Sequence, residues 1–366
     1  MKNKLFVIIM AAAILLGSLA FMLIPDRAFS ETERRLLAKM PEISAKSIFS
    51  GDFMDGFEAY AQDNFPLRDS FRGLKARFVL DVLKQGDNNG LYTAMGHIAK
   101  SDYPMNEKML QHAAGRMESI YKRYLENTDC KLYFSIIPDK NRYIAPGFNQ
   151  LYLKFNELES YMLDKTGYME YIPIAQQLCA NDYYYSDSHW KQERIGPVAE
   201  EICSAMGAEV MSFIDSDMKS FAAPFRGVYA GQLGIDSITD ELHYLENDII
   251  RACTVTSYDS GKPESVDFYD MEAAQGRDPY EMFLNGADAL LVIDNPKAET
   301  ERELVIFRDS FSSSLAPLLL QSYSKVTLVD IRYINSAMLG QFIDFDKQDV
   351  LFIYSTGLLN NSLAMK

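Results

Sequence analysis

The 366-residue sequence predicts an α/β fold in which a parallel β-sheet is flanked by helices. Four short apolar runs have the length and composition of buried strands. They are Lys131–Ile137, Leu304–Phe307, Val326–Val329 and Val350–Tyr354. Helical stretches separate the last three, near Ser314–Tyr323 and Ile334–Phe342. Strands that alternate with helices favour parallel pairing through right-handed crossovers, and hydrophobic residues make up 48% of the chain, enough for a sizeable core.

The first residues have a basic-then-apolar pattern typical of export. Lys2 and Lys4 precede an uncharged run of 20 residues from Leu5 to Ile24, the length a helix needs to cross a hydrocarbon core of ~30 Å. The lysines are expected to stay in the cytoplasm, which makes the segment a single-pass anchor with the body outside. The alternative is a cleaved signal peptide with Ala28–Ser30 as its cleavage site. Both interpretations place the body of the protein outside the cytoplasm.

The rest of the chain divides into a helical linker and a large α/β domain. Residues 1–24 are the anchor or signal segment, residues 25–86 a helical stalk or linker, and residues 87–366 the α/β domain. A turn cluster at residues 85–90 marks the boundary. Within the domain, residues 211–290 are predicted to be an irregular excursion from the core. Further helices are predicted at Glu107–Asn127, Phe155–Thr166, Ile174–Ala180 and Lys191–Met206.

Composition excludes some classes of function. The net charge of −15 and pI of about 4.8 argue against a nucleic-acid partner, because such a chain would not displace counterions from phosphates. The four cysteines form no C-x-x-C pair and have no histidine at ligand spacing, so we predict no structural zinc site. We also predict no cofactor. Free thiols and one or two disulfides both remain open from the spacing.

A serine follows the predicted strand Leu304–Phe307. In the run Arg308-Asp309-Ser310-Phe311, Ser310 falls at the carboxyl end of that strand, where working residues of parallel sheets are found. This position makes Ser310 a candidate nucleophile. The alternative is that Asp309 or Ser310 is only the N-cap of the next helix.

A carboxylate and an imidazole occur together upstream, in Tyr185-Ser186-Asp187-Ser188-His189-Trp190. A serine hydroxyl becomes a good nucleophile when an imidazole takes its proton, and a carboxylate fixes the tautomer of that imidazole. We therefore predict Ser310 as nucleophile, His189 as base and Asp187 as the residue that orients the base. Helix capping by Asp187 or Ser188 is the alternative, and core packing is the expected role of Trp190.

These segments resemble the DHHW proteins, which belong with the alginate O-acetyltransferase proteins in the SGNH-hydrolase superfamily. The resemblance rests on Asp187–Trp190 and Arg308–Phe311, and it extends to other segments along most of the chain. Those segments are Glu31–Leu36, Tyr60–Arg68, Arg226–Gly231 and Val329–Tyr333. The sequence departs from the family at Ser188, where a second His or a Thr is usual, and at Arg308, where many SGNH enzymes have a glycine.

The resemblance implies an SGNH-like fold and an O-acetyltransferase that acts on a cell-surface or secreted polysaccharide through an acyl-serine. A membrane-bound O-acyltransferase is the implied partner that delivers acetyl groups. A polysaccharide acetyl esterase with the same triad and a non-catalytic glycan-binding or assembly scaffold are the alternatives. Substrate-binding or oxyanion roles are considered for Arg308, Asp309, Arg332 and Ser355. Binding of a substrate anion is considered for Lys140 and Arg142, which follow the strand closed by Pro138, but a surface role is favoured.

Overall fold

The computed structural model describes residues 2–148, 150–210 and 216–366, and the chain divides into two compact units. The smaller unit comprises Met1–Asn88 with Ala230–Ser237, and the larger unit comprises Asn89–Tyr229 with Ile238–Lys366. Residues 211–215 of the predicted excursion lie outside the described residues. The domain boundaries drawn from the sequence stay a prediction.

The smaller unit is mainly helical. Its elements are α1 (Lys2–Leu23), β1 (Phe29–Ser30), β2 (Arg35–Leu36), α2 (Ala45–Ser50), α3 (Asp52–Asn64) and α4 (Arg68–Arg77). Within α1, the 20-residue span Lys4–Leu23 contains an 18-residue window with a mean hydropathy of 2.7, so this helix is long and apolar enough to cross a membrane or to act as a signal sequence. Phe21 packs edge-on against Tyr60 of α3 with ring centroids 5.6 Å apart.

The larger unit begins with a hairpin and then builds an α/β core. Its first half contains β3 (Leu91–Ala94), β4 (His97–Lys100), α5 (Glu107–Ile120), β5 (Lys131–Ile137), α6 (Asn141–Ile144), α7 (Phe155–Lys165), β6 (Glu170–Tyr171) and α8 (Gly196–Ala205). Then come β7 (Asp217–Phe225), α9 (Val228–Leu233, which contributes residues to both units), β8 (Asp240–Glu246), α10 (Asp248–Ala252), β9 (Thr254–Ser257), β10 (Glu264–Val266) and β11 (Leu290–Asp294). The last elements are β12 (Glu303–Phe307), α11 (Ser312–Leu315), β13 (Lys325–Val329), β14 (Asp349–Ser355) and α12 (Thr356–Asn360).

The central sheet has eight strands in the order β10-β9-β11-β13-β12-β14-β5-β6. The five strands from β13 to β6 are parallel, and they include all four strands predicted from the sequence. The predicted mixed α/β class is therefore confirmed. The expectation of a purely parallel sheet is wrong at one edge, because β11, β9 and β10 add antiparallel strands. Strands β9 and β10 come from the segment expected to be an irregular excursion, and β11 begins at its last residue.

Both faces of the sheet are covered, which explains why the central strands are apolar throughout. Alternate residues of β12 point into different clusters: Leu304 and Ile306 join one buried core, and Val305 and Phe307 join the other. None of these four side chains is more than 2% exposed. The four cysteines are all free, including the buried Cys203.

Several predicted helices are shorter than expected. The stretch predicted at Ser314–Tyr323 is α-helical only over Ser312–Leu315 and continues as a 3₁₀-helix over Ala316–Ser322. Pro317 accounts for the change, since it has no N–H for the next α-helical hydrogen bond. The helix expected at Ile174–Ala180 is wrong, because the segment forms only short 3₁₀ turns.

Replacement of Ile306 tests the importance of this core. Ile306 is fully buried in the middle of the central strand, so Ile306→Ala should lower the free energy of unfolding by ~2–5 kcal/mol. Urea denaturation followed by circular dichroism measures the change. Leu363→Ala, at a side chain that is 71% exposed, is the control, and an equal loss in both variants would contradict the assignment of the core.

Candidate active site

Ser310 lies in the turn between strand β12 and helix α11, at the carboxyl end of the sheet. The carboxylate of Asp309 shapes this turn. Its Oδ1 accepts the N–H of Phe311 at 3.2 Å, and its Oδ2 accepts the N–H of Ser355 at 2.8 Å. The second bond ties the turn to the end of the neighbouring parallel strand β14. Asp309 therefore holds the turn that carries Ser310.

The imidazole of His189 bridges Ser310 and Asp187. Its Nε2 lies 2.7 Å from Ser310 Oγ, and its Nδ1 lies 2.6 Å from Asp187 Oδ1. Asp187 is fully buried, His189 is 9% exposed and Ser310 is half-buried, so the chain of hydrogen bonds runs from the interior towards solvent. The structure thus brings together the three residues predicted from the sequence, in an arrangement in which an imidazole can take a proton from a serine hydroxyl.

Backbone groups hold the Asp187 carboxylate in position. Oδ1 also accepts the N–H of His189 at 3.0 Å, and Oδ2 accepts the N–H of Val228 at 2.7 Å. The preceding residue, Gly227, donates its N–H to Ser186 Oγ at 2.9 Å. A Cβ at Gly227 would collide with the Cβ of Asp187 and lie 2.5 Å from the Ser186 carbonyl oxygen. Only glycine lets this backbone approach so closely.

Aromatic side chains enclose the imidazole. The ring of Tyr280 stacks on His189 with centroids 3.8 Å apart and planes 10° apart, and the ring of Phe311 lies at 4.8 Å. Burial raises the pKa of Tyr280, so its hydroxyl stays neutral and shares a hydrogen bond with Ser314. Trp190 is fully buried, as expected for core packing, and its Nε1–H donates to the carbonyl of Phe311 at 3.0 Å.

Ser310 and His189 open into a cleft of about 420 Å³. Its other lining residues include Lys100, Asp102, Asp139, Tyr229, Arg332, Ser355 and Asn360. Burial, reinforced by the nearby Asp102, raises the pKa of Asp139 to about 7. A larger groove of about 900 Å³ lies at the amino ends of β5, β12, β13 and β14, and none of the predicted site residues lines it.

Three of the additional predicted residues lie at the cleft. Asp309 and Ser355 line it, but their polar side-chain atoms are engaged in the turn and in the cap of α12, where Ser355 Oγ accepts the N–H of Leu358 at 3.3 Å. Arg332 makes a bidentate ion pair with the buried Asp330, with contacts of 2.6–3.1 Å through Nε and Nη2. Its Nη1 has no hydrogen-bond partner among the described residues. Of these three residues, Arg332 is therefore the one whose side chain has an unengaged hydrogen-bond donor.

Arg308 does not reach the cleft. It is fully buried and donates to the carbonyls of Gly286 and Asp288 at 3.3 Å and to Ser313 Oγ at 2.7 Å. Burial lowers the pKa of its guanidinium. Arg308 therefore binds the segment around Gly286 and does not line the cleft, so its position does not support the substrate-binding or oxyanion role considered for it.

Lys140 is a residue whose importance the sequence did not reveal. Instead of lying at the surface, it is fully buried, and its ammonium donates to backbone carbonyls of the segment that carries Asp187. Arg142 is partly buried over the ring of Phe155 at 4.0 Å. Position after a strand indicated that Lys140 lies near the site, but no local pattern signals that a lysine is buried.

A methyl group at Gly227 should damage the site directly. Gly227→Ala forces Asp187 or the Ser186 carbonyl to move, so we expect a lower melting temperature and slower sulfonylation of Ser310 by a sulfonyl fluoride. Gly115→Ala is the matched control, because its Cβ would meet nothing within 4 Å. Wild-type labelling of a folded Gly227→Ala protein would contradict this account.

Comparison with known proteins links this architecture to solved structures. No protein-family model matches the chain, and no curated protein matches it. A DHHW family protein from Eubacterium siraeum aligns over 76% of this chain and 95% of its own, at 18% identity and a TM-score of 0.62. Bacillus cereus PatB1 aligns over 74% and 97%, at 19% identity and a TM-score of 0.61.

PatB1 has also been solved with a sulfonyl adduct, a structure that aligns with a TM-score of 0.58 at 20% identity over 74% of this chain and 95% of its own. The O-acetyltransferase domain of Pseudomonas putida AlgJ is a weaker match, at 10% identity and a TM-score of 0.44 over 75% and 93%. At these identities the likeness to the DHHW protein and PatB1 is one of fold. The resemblance to the DHHW family predicted from the sequence is confirmed at that level.

Proposed function

We propose that the larger unit is a serine-dependent O-acetyltransferase that acts on a cell-surface or secreted polysaccharide. The observation that carries the proposal is the continuous chain of hydrogen bonds from Asp187 through His189 to Ser310, at the edge of an open cleft. A buried carboxylate, an imidazole and a half-buried hydroxyl in this order are the components of acyl transfer. The SGNH-like fold implied by the DHHW resemblance supports the same reaction.

In the proposed reaction His189 acts first as base and then as acid. Nε2 takes the proton of Ser310 as Oγ attacks the acetyl carbonyl, and the imidazolium returns that proton to the departing oxygen of the donor. An acetyl-Ser310 ester remains. His189 then takes the proton of a sugar hydroxyl, which attacks the ester carbonyl, and Ser310 recovers its proton. Asp187 holds Nδ1–H throughout and stabilises the imidazolium.

Two donors are available for the negative charge that develops on the carbonyl oxygen. The backbone N–H of Ser310 has no acceptor among the described residues. Arg332 lines the same cleft with Nη1 unoccupied, and its ion pair with Asp330 fixes the guanidinium. We propose this pair as the stabilisers of the oxyanion, since donors fixed in advance lower the energy of a developing charge most effectively.

The proposed arrangement at the membrane follows from the N-terminal segment. The 20-residue apolar helix supports an anchor at residues 1–24. Residues 25–86 would form the stalk, and residues 87–366 would work outside the cytoplasm. Acetyl groups have to reach that side of the membrane, so we propose a membrane-bound O-acyltransferase as the donor.

Labelling tests the nucleophile. Full-length protein treated with phenylmethylsulfonyl fluoride should carry one sulfonyl group on Ser310, found by peptide mass spectrometry. Ser310→Ala should abolish the adduct, and Asp187→Asn should slow acetyl transfer by about 10⁴-fold because the imidazole loses its fixed tautomer. Ser119→Ala, at an exposed serine of α5, is the control. An unmodified Ser310 in folded protein would favour the non-catalytic glycan-binding scaffold.

Product analysis separates the transferase from the esterase. With p-nitrophenyl acetate and a neutral oligosaccharide, we expect O-acetyl groups on the sugar in excess of free acetate, and neither product with Ser310→Ala. The esterase alternative has a specific basis, because the cleft is open and the same acyl-serine can react with water. Release of acetate alone across several oligosaccharides would replace the transferase assignment with the esterase.

A further inference from the structure

The buried ammonium of Lys140 is bound entirely to one segment of backbone. Its Nζ donates to the carbonyls of Tyr184 at 2.9 Å, Tyr185 at 3.4 Å and Asp187 at 2.6 Å. An ammonium has three N–H donors and no acceptor, so all three donors are engaged. The ring of Tyr229 lies 5.2 Å from the same nitrogen. Lys140 thus donates all three of its hydrogen bonds to the segment that carries Asp187.

The carboxylate of Asp240, the first residue of β8, engages the donors of the same segment. It accepts the N–H of Tyr185 at 2.7 Å, the N–H of Ser186 at 2.8 Å and the hydroxyl of Ser186 at 2.6 Å. Residues 184–187 therefore present carbonyls to a buried cation and N–H groups to a buried anion. Charge-assisted hydrogen bonds of this kind are about twice as strong as neutral ones.

We propose that Lys140 and Asp240 are positioning residues that clamp residues 184–187 and thereby hold Asp187 in register with His189 and Ser310. The inference rests on the proposed function, since it assigns a role in the same reaction. Burying an ammonium is costly, and an apolar side chain would fill the space without that cost. What the ammonium adds is three directed bonds, one of them to the carbonyl of Asp187 itself.

The clamp gives a dependence on pH with a definite sign. Burial lowers the pKa of Lys140 to about 8 from its usual 10.5, against the opposing effect of Asp139. Below pH 8 the ammonium donates a hydrogen bond to each of the three carbonyls. Above pH 8 the neutral amine has only two N–H groups, so one carbonyl loses its donor. The charged and titratable groups around Lys140 are Asp139, Asp187, Asp240, Lys191, His97 and Tyr229. We expect kcat to fall as pH rises through about 8.

The experiment compares Lys140→Met and Lys140→Arg in the full-length protein with p-nitrophenyl acetate as substrate. Lys140→Met should lower kcat by about 100-fold with KM nearly unchanged, because a misplaced base slows the chemical step. Lys140→Arg keeps the charge at every working pH. It should recover much of kcat and shift the alkaline fall to higher pH. Lys131→Met, at the exposed start of strand β5, which precedes Lys140, is the matched control.

A second measurement does not depend on turnover. The proton between His189 Nδ1 and Asp187 Oδ1 should give a downfield proton NMR resonance in the wild-type protein, and Lys140→Met should shift or broaden it. A folded Lys140→Met protein with wild-type kcat and an unchanged resonance would overturn the inference.

If Lys140→Met does not fold, the pH profiles of the wild type and of Lys140→Arg provide the test. The clamp would be overturned if the kcat of the wild type did not fall at alkaline pH, or if kcat fell at the same pH in Lys140→Arg. Failure of the proposed function is distinguishable from these outcomes. If the proposed function fails, Ser310 of the wild-type protein resists sulfonylation, but Lys140→Met still shifts or broadens the resonance of the proton between His189 and Asp187.

Discussion

The hydrogen bonds of the Asp187 carboxylate are the constraint on which the rest of the site depends. One oxygen accepts from the ring and the backbone of His189, and the other accepts from the N–H of Val228. The carboxylate therefore has few orientations open to it, and a single direction is left for the imidazole. Because Nδ1 is held by the carboxylate, Nε2 faces Ser310. The fold itself therefore holds the imidazole in contact with Ser310.

The parallel strands bring the remaining groups to the same edge. Strand β5 leads to Lys140, β12 to Ser310, β13 to Arg332 and β14 to Ser355. Carboxyl ends of parallel strands meet on one side of a sheet, so residues far apart in the chain become neighbours without long loops. The bond from the Ser355 N–H to Asp309 then locks two of these ends together. The sheet fixes where the groups lie, and the cross-strand bond fixes how the turn that carries Ser310 is oriented.

Much of this arrangement could be predicted from local patterns. Apolar runs identified the four central strands, and the chemistry of proton transfer picked out Asp187, His189 and Ser310. Lys140 and Gly227 escaped prediction for a different reason: their roles depend on contacts between segments distant in sequence. The residues next to a lysine in the sequence do not indicate whether its side chain is buried or exposed. Two of the antiparallel edge strands, β9 and β10, were missed because they are short, at four and three residues, and lie between irregular turns.

Residues 211–290, which were predicted to be an irregular excursion from the core, supply part of the site. This segment contributes the close backbone at Gly227, the carboxylate of Asp240 and the Tyr280 ring stacked on the imidazole. Arg308 connects it to the turn that carries Ser310, because its guanidinium donates to the carbonyl of Gly286, six residues after Tyr280. An arginine at this position therefore has a physical reason. It links Gly286, in the segment that carries Tyr280, to Ser313 of the helix that follows Ser310.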